Sequence, residues 1–234
     1  MNIGLMLSGG TGSRIGGDIP KQYQKINGKR IISFSLDSLV NSEYIDGICI
    51  VASKEWQEKL NEELTEKAKS KVICYAYPGD NRQMSIYNAM TAVREVIKVS
   101  KEDTVFIHDA ARPYLTEEMI KKYVDAVNGH DGLLPVLSMK DTVYISEDGK
   151  KVTSLINRKN VYAGQAPEVF RFEKYYEANK VLLPDKIRNI NGSTEPAIMA
   201  GMDVVMVQGE EKNTKITTVE DMENLKNYCK QRKS

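Results

Sequence analysis

Ile3-Gly4-Leu5-Met6-Leu7 is an apolar run of strand length that passes directly into Ser8-Gly9-Gly10-Thr11-Gly12-Ser13-Arg14. A strand closed by a glycine-rich turn opens an α/β unit, and the stretches after it keep the same rhythm. Ile31 to Val40 carries apolar residues at helical spacing, and Ile48 to Val51 is a second strand. Glu55 to Ser70 reads as one polar helix with Trp56, Leu60 and Leu64 on a stripe. Val72 to Tyr75 is a strand, Gln83 to Val99 a helix, and Thr104 to Ile107 a buried strand running into His108-Asp109. This alternation predicts an α/β fold, a Rossmann-like, mostly parallel twisted sheet with helices on both faces.

Near Leu133 the rhythm changes. Thr142 to Ile145 and Val152 to Ile156 read as strands around Glu147-Asp148-Gly149-Lys150, and Asp-Gly between β-branched runs signals a hairpin. The hairpin has few large apolar residues, so it must lie on the parent sheet or pack against a partner chain. Arg171 to Leu183 then reads as helix, Asp203 to Val207 as strand and Thr218 to Lys230 as helix. No stretch resembles a linker, so residues 1–234 are expected to form one domain with a protruding β-arm at 141–162. Met84, Met90, Met199 and Met202 read as core.

Composition narrows the function classes. Against 33 Lys+Arg stand 32 Asp+Glu, which argues against a nucleic-acid coat, because neutralising many phosphates needs a basic excess. Cys49, Cys74 and Cys229 are isolated in sequence, and only His108 and His130 could add imidazole, so a structural zinc site is not expected. The odd cysteine count suggests reduced thiols. No apolar run reaches the ~18 residues of a membrane span, and the expectation is a cytoplasmic protein without a membrane partner.

The glycine turn at Leu7, Ser8, Gly9, Gly10, Thr11, Gly12 and Ser13 lets backbone N–H groups converge on an anion. It lies at a strand's carboxyl end, where open α/β sheets bind ligands. It is not a P-loop, since no lysine follows the right glycine, and Ile15 stands where a dinucleotide fingerprint needs glycine. Arg14 and Lys21 follow, the latter in Pro20-Lys21-Gln22-Tyr23. Physically this is a triphosphate cradle. Taken singly, each part has a plainer reading: a tight strand–helix turn, a surface lysine, and an Asp109–Arg112 ion pair at a strand end.

Taken together, the motifs resemble a known family. Leu-Ser-Gly-Gly-Thr-Gly-Ser-Arg with Pro-Lys-Gln-Tyr is similar to the cytidylyltransferases that make CDP-alcohols, acting on methylerythritol phosphate or ribitol 5-phosphate. Pro78-Gly79-Asp80-Asn81-Arg82-Gln83-Met84-Ser85 resembles the family's GG-x-x-R-x-x-S segment, and His108-Asp109-Ala110-Ala111-Arg112-Pro113 matches its HDAARP segment. Asn157-Arg158 with Gly164-Gln165-Ala166-Pro167-Glu168 resembles the R…QTPQ stretch, and Asn213-Thr214-Lys215-Ile216-Thr217 resembles N-x-K-[VI]-T. The likeness spans the chain.

The resemblance implies a nucleotidyltransferase with Arg14, Lys21 and Lys215 as catalytic cations. Lys215, between β-branched residues, is expected on a strand facing the site. The glycine turn, Gly79, Asp80, Arg82, Ser85 and Ala110 would bind CTP. Asp109, Arg112, Thr142, Arg158 and Gln165 would face the acceptor, with Arg158 reaching across a homodimer. Mg²⁺ would be held mainly by the CTP phosphates, with Asp109 nearby. Two departures bear on the acceptor: Ala166-Pro167-Glu168 stands for TPQ, and Asn191-Gly192-Ser193-Thr194-Glu195-Pro196 for a T-D-E-A-like run. Gly164-Gln165 looks like the ribitol-phosphate branch. The expected acceptor is thus a polyol phosphate, ribitol 5-phosphate first, with glycerol, arabinitol or mannitol phosphate also open. The alternative is 2-C-methyl-D-erythritol 4-phosphate.

Overall fold

Alternate side chains of a strand point to opposite faces, and the central strands use this to build two apolar layers. The computed structural model describes residues 1–10 and 19–231. It runs β1 (Asn2–Leu7), β2 (Lys25–Ile26), β3 (Lys29–Arg30), α1 (Ile31–Asn41), β4 (Gly47–Val51), α2 (Lys54–Glu63), α3 (Glu66–Lys71), β5 (Val72–Ala76) and α4 (Arg82–Val96). It continues through β6 (Thr104–Asp109), α5 (Glu117–Ala126), β7 (Gly132–Ser138), β8 (Val143–Ile145), β9 (Ser154–Ile156), β10 (Tyr162–Gly164) and β11 (Glu168–Arg171). The last elements are α6 (Phe172–Lys180), α7 (Glu195–Met199), β12 (Val204–Gln208) and α8 (Val219–Gln231).

Strands β6, β1, β4 and β5 are parallel neighbours. One layer packs Met6, Ile48, Ile50 and Phe106 against α1, α2 and α5. The other packs Leu5, Cys49, Val51, Val105 and Ile107 against α4 and α6. This is the α/β Rossmann-like architecture the alternation predicts. Beyond β6 the sheet becomes mixed: β11 is antiparallel to both β6 and β7, and β10 is antiparallel to β7. Strand β12 pairs parallel with β7. Gly132, Leu133 and Val136 each have partners on both sides, so β12 flanks β7 on one side while β10 and β11 share the other.

Several sequence readings are corrected. The helix expected over Glu55–Ser70 is two helices, because Thr65 turns into an N-cap and its side chain accepts the Ala68 N–H at 3.2 Å. Strands β7, β10 and β11 emerge where the rhythm had broken, and helix α5 emerges just before it, in a stretch assigned no element. Met199 is 58% exposed rather than core. Cys49 and Cys74 are not isolated in space: they are register partners on β4 and β5, both free thiols. The hairpin does not extend the parent sheet. β8 and β9 pair only with each other, leaving Tyr144, Ile145 and Leu155 exposed. No helix of the described residues is long and apolar enough to cross a membrane.

Candidate active site

Leu7 and Asp109 are register partners at the carboxyl ends of β1 and β6, where ligands bind in open α/β sheets. A hollow of about 450 Å³ opens there between the glycine turn, the turn before α4 and the loop after β6. Two glycines let its walls close up. A Cβ on Gly9 would stand 2.4 Å from Pro78, and one on Gly79 would stand 2.3 Å from Met84, both inside van der Waals contact.

Asp109 forms the floor. It is buried, with Lys215 Nζ at 2.8 Å from Oδ2, Arg82 Nε at 3.1 Å from Oδ1 and Arg112 Nε at 3.8 Å from Oδ2. Burial by itself would raise the carboxyl, but attraction to Arg82 and Lys215, with a hydrogen bond from Lys215, holds it well below the usual carboxylate range. Burial would likewise release the Arg82 proton, and Asp109 and Glu168 more than offset that, so its guanidinium stays charged. His108, fully buried behind Asp109, is pushed down to about 4 by desolvation. It is therefore a neutral ring at pH 7, with Nε2 at 3.0 Å from the Arg112 carbonyl.

Lys215 reaches the floor from an irregular segment, not from the expected strand. The Ile216 N–H donates to the Ala111 carbonyl at 2.8 Å, and Arg112 Nη1 donates to the Asn213 carbonyl at 2.7 Å. Buried Ile216 and half-exposed Lys215 still face opposite ways. Lys21 approaches from a 3₁₀ turn, Lys21–Tyr23, that is buried throughout. Its neighbours, missed by the sequence reading, explain that placement. Gln22 Nε2 donates to the Ser8 and Gly10 carbonyls, both at 2.6 Å, and the Tyr23 hydroxyl donates to the Ser8 carbonyl at 2.9 Å. The signal was present in Pro20-Lys21-Gln22-Tyr23, as a polar pair next to a cation.

The other candidate residues divide clearly. Leu7, Gly9, Gly10, Gly79, Asp80, Arg82 and Ser85 line the hollow. Ser85 also shapes its own turn, donating to the Asn81 carbonyl at 2.9 Å and accepting the Gly79 N–H at 3.0 Å. Ser8 is turned away, its hydroxyl donating to the Val51 carbonyl at 2.5 Å. Ala110 is buried beneath, with its N–H on the Leu7 carbonyl, and Ala111 lines the hollow instead. Gln165 is a structural pin rather than an open acceptor contact. Its amide donates to the Glu210 carbonyl at 3.1 Å and accepts the Glu210 N–H at 3.0 Å. Thr142 and Arg158 do not line the hollow of their own chain; Arg158 is exposed and donates to the Lys140 carbonyl at 2.6 Å. Thr11, Gly12, Ser13 and Arg14 lie outside the described residues.

Magnesium favours octahedral oxygen ligands, usually waters, substrate phosphates and one or two carboxylates. Asp109 does not fit as a direct ligand, because each of its oxygens already faces a cation. Among the described residues no group of three or more His, Cys, Asp or Glu side chains is placed to hold a metal ion.

Among the described residues the hollow thus sets Lys21, Arg82 and Lys215 against Asp80 and Asp109. The excess of one positive charge suits an anionic ligand. The family model for 2-C-methyl-D-erythritol 4-phosphate cytidylyltransferase (IspD) matches residues 3–231. The chain is 30% identical over 222 residues to the 2-C-methyl-D-erythritol 4-phosphate cytidylyltransferase of Thermosipho melanesiensis, covering 95% of each. It is 28% identical over 222 residues to the ribitol-5-phosphate cytidylyltransferase of Streptococcus agalactiae serotype V, covering 94% of this chain and 92% of the relative. The fold superposes on 4-diphosphocytidyl-2C-methyl-D-erythritol synthase from Anaerococcus prevotii with a TM-score of 0.79 at 24% identity, over 98% of each chain. The strand-end hollow with its ring of cations and the match along nearly the whole chain agree, and the protein belongs to the IspD family as a CTP-dependent cytidylyltransferase, a nucleotidyltransferase.

Proposed function

We propose that the enzyme transfers CMP from CTP to a linear polyol phosphate, with ribitol 5-phosphate as the first candidate. The observation that carries the chemistry is that Lys21, Arg82 and Lys215 line one hollow at the strand ends, with Arg82 and Lys215 held by buried Asp109. An oxygen of the acceptor phosphate forms a bond to the α-phosphorus of CTP. The bond from that phosphorus to the bridging oxygen breaks, and pyrophosphate leaves with the electron pair. The attacking oxygen is already ionised, so no general base is required. Lys21 and Lys215 neutralise charge that grows on the phosphoryl oxygens, and positioning supplies the rest. Arg14 is assigned the same role from the motif alone. Mg²⁺ enters this reading only as a counter-ion carried by the triphosphate, where it would offset phosphate charge.

The acceptor reading rests on Gly164-Gln165, which looks like the ribitol-phosphate branch, and on Ala166, Glu168 and the 191–196 loop, where the chain departs from the methylerythritol pattern. Methylerythritol 4-phosphate is the second reading, supported by relatives of that activity at 30% identity. Pyrophosphate release with CTP and a panel of acceptors decides between them. Turnover with ribitol 5-phosphate well above methylerythritol 4-phosphate is expected, and turnover with methylerythritol 4-phosphate alone overturns the ordering.

Homodimerisation through the 141–162 arm belongs to the same proposal. Tyr144 and Leu155 are register partners on a two-stranded sheet, 58% and 63% exposed, and such side chains gain by burial against a second copy. Y144D/L155D is expected to sediment as a monomer and to lose turnover, since Thr142 and Arg158 sit on the same arm. A variant that remains dimeric would remove the arm from the interface.

A further inference from the structure

The two stretches that depart from the family pattern, 165–168 and 191–196, meet in space. Ser193 Oγ donates to Glu168 Oε1 across a separation of 25 residues. Arg82 ties the pair together: Nη1 donates to Ser193 Oγ at 2.6 Å and Nη2 to Glu168 Oε2 at 3.3 Å, while Nε donates to Asp109 at 3.1 Å. Ser193 and Glu168 are 2% and 8% exposed. The backbone of Ser193 is fixed as well, because the buried Tyr175 hydroxyl donates to its carbonyl at 2.5 Å and itself accepts from Gln83 at 2.9 Å. The 191–196 loop is therefore anchored through a single serine to a guanidinium that also holds the floor of the hollow.

The family's glutamine at position 168 would be neutral. Glutamate places a second carboxylate on Arg82, and a buried carboxylate persists only with such a partner. Neither Glu168 nor Ser193 lines the hollow; the pair reaches it through the Arg82 guanidinium, which does. A hydroxyl brought against that guanidinium finds a donor, whereas a methyl branch leaves it desolvated and unpaired.

We propose that Glu168 is a positioning residue for acceptor choice: together with Ser193 it sets the Arg82 guanidinium at the hollow to favour an unbranched polyol phosphate over a methyl-branched one. The inference rests on the acceptor reading above.

The test compares E168Q and S193A with wild type by kcat/KM for ribitol 5-phosphate and for methylerythritol 4-phosphate at saturating CTP. E168Q keeps the side-chain size and restores the family residue. The ratio of the two constants is expected to move about tenfold toward the branched acceptor, chiefly through acceptor KM, with KM for CTP within about twofold of wild type. S193A keeps both charges but removes the bridge, and it is expected to move the ratio the same way. A purely structural role would lower both constants together and leave their ratio unchanged. Thermal melting monitors folding, and if E168Q does not fold, S193A decides alone. An unmoved ratio in the folded variants overturns the inference while leaving the acceptor reading intact. If the wild type turns over methylerythritol 4-phosphate alone, the acceptor reading fails and the inference falls with it.

Discussion

Lys21→Ala is expected to lower kcat by a factor of about 100 to 1000, the usual loss when one donor aimed at developing charge is removed. The geometry explains why the loss falls on turnover. Lys21 is 8% exposed, and its short turn is locked to the glycine loop through Gln22 and Tyr23, so the ammonium arrives already placed. Removing it leaves those hydrogen bonds intact. Melting temperature and CTP affinity are therefore expected to change far less than kcat. Arginine at this position keeps the charge but not the compact ammonium, and it is expected to restore only part of the rate. Steady-state kinetics with circular dichroism make the check, and near-normal turnover in folded Lys21→Ala takes this lysine out of the mechanism.

Asp109→Asn should be costly in a different way. The carboxylate sits among Lys215, Arg82 and Arg112, and an amide leaves those cations facing one another. Breaking a buried pair by removing one partner costs about 3–5 kcal/mol; the lower end is expected, because Lys215 and Arg82 remain partly open to water. The pH dependence has a definite sign. Attraction to Arg82 and Lys215 overcomes burial and keeps the folded carboxyl well below its ordinary value. Its contribution is therefore full above the unfolded pKa of about 3.9 and fades only in stronger acid. The stability gap between wild type and Asp109→Asn is expected to be constant from pH 7 to about 5, and to narrow below about 4. Urea unfolding at several pH values measures it. Equal stability of the two proteins at neutral pH would rule out Asp109 as the hub of this cluster. Turnover of the variant is expected to fall as well, because Lys215 loses the carboxylate that holds it.

The sequence was most legible where side-chain period and local turns agree. Strands β1, β4, β5 and β6 and helices α1 and α4 lie within a few residues of the runs that announced them. Each is stabilised by burying its own apolar face, and that pattern is written locally. Strand β7 was harder to read. Pro135 interrupts Gly132–Ser138, and proline ordinarily marks an edge. The Pro135 carbonyl accepts the Gln165 N–H, so the missing N–H lies on the same side, between β10 and β11, where the ladder is already broken. The split at Leu64–Thr65 depended on a threonine preferring to cap rather than to continue a helix, a choice of about 1 kcal/mol that periodicity does not register.

The candidate site shows the same division. Ten of the thirteen described residues that line the hollow were named as site residues from the sequence, most of them through the family resemblance, whereas Gln22, Asn81 and Ala111 were not. Which polar groups face the ligand and which are engaged with the protein was not legible. Ser8, Ala110 and Gln165 bond to Val51, Leu7 and Glu210, partners 43, 103 and 45 residues away. The joining of Glu168, Ser193 and Arg82 belongs to the same class. The amino-acid order by itself determined the layered α/β fold, since burial and backbone geometry act over a few residues, and its likeness to a known family pointed to the cytidylyltransferase chemistry. The division of the polar groups between scaffold and site was left to the tertiary structure, because a buried hydrogen bond exists only once distant segments have been brought within about 3 Å of each other.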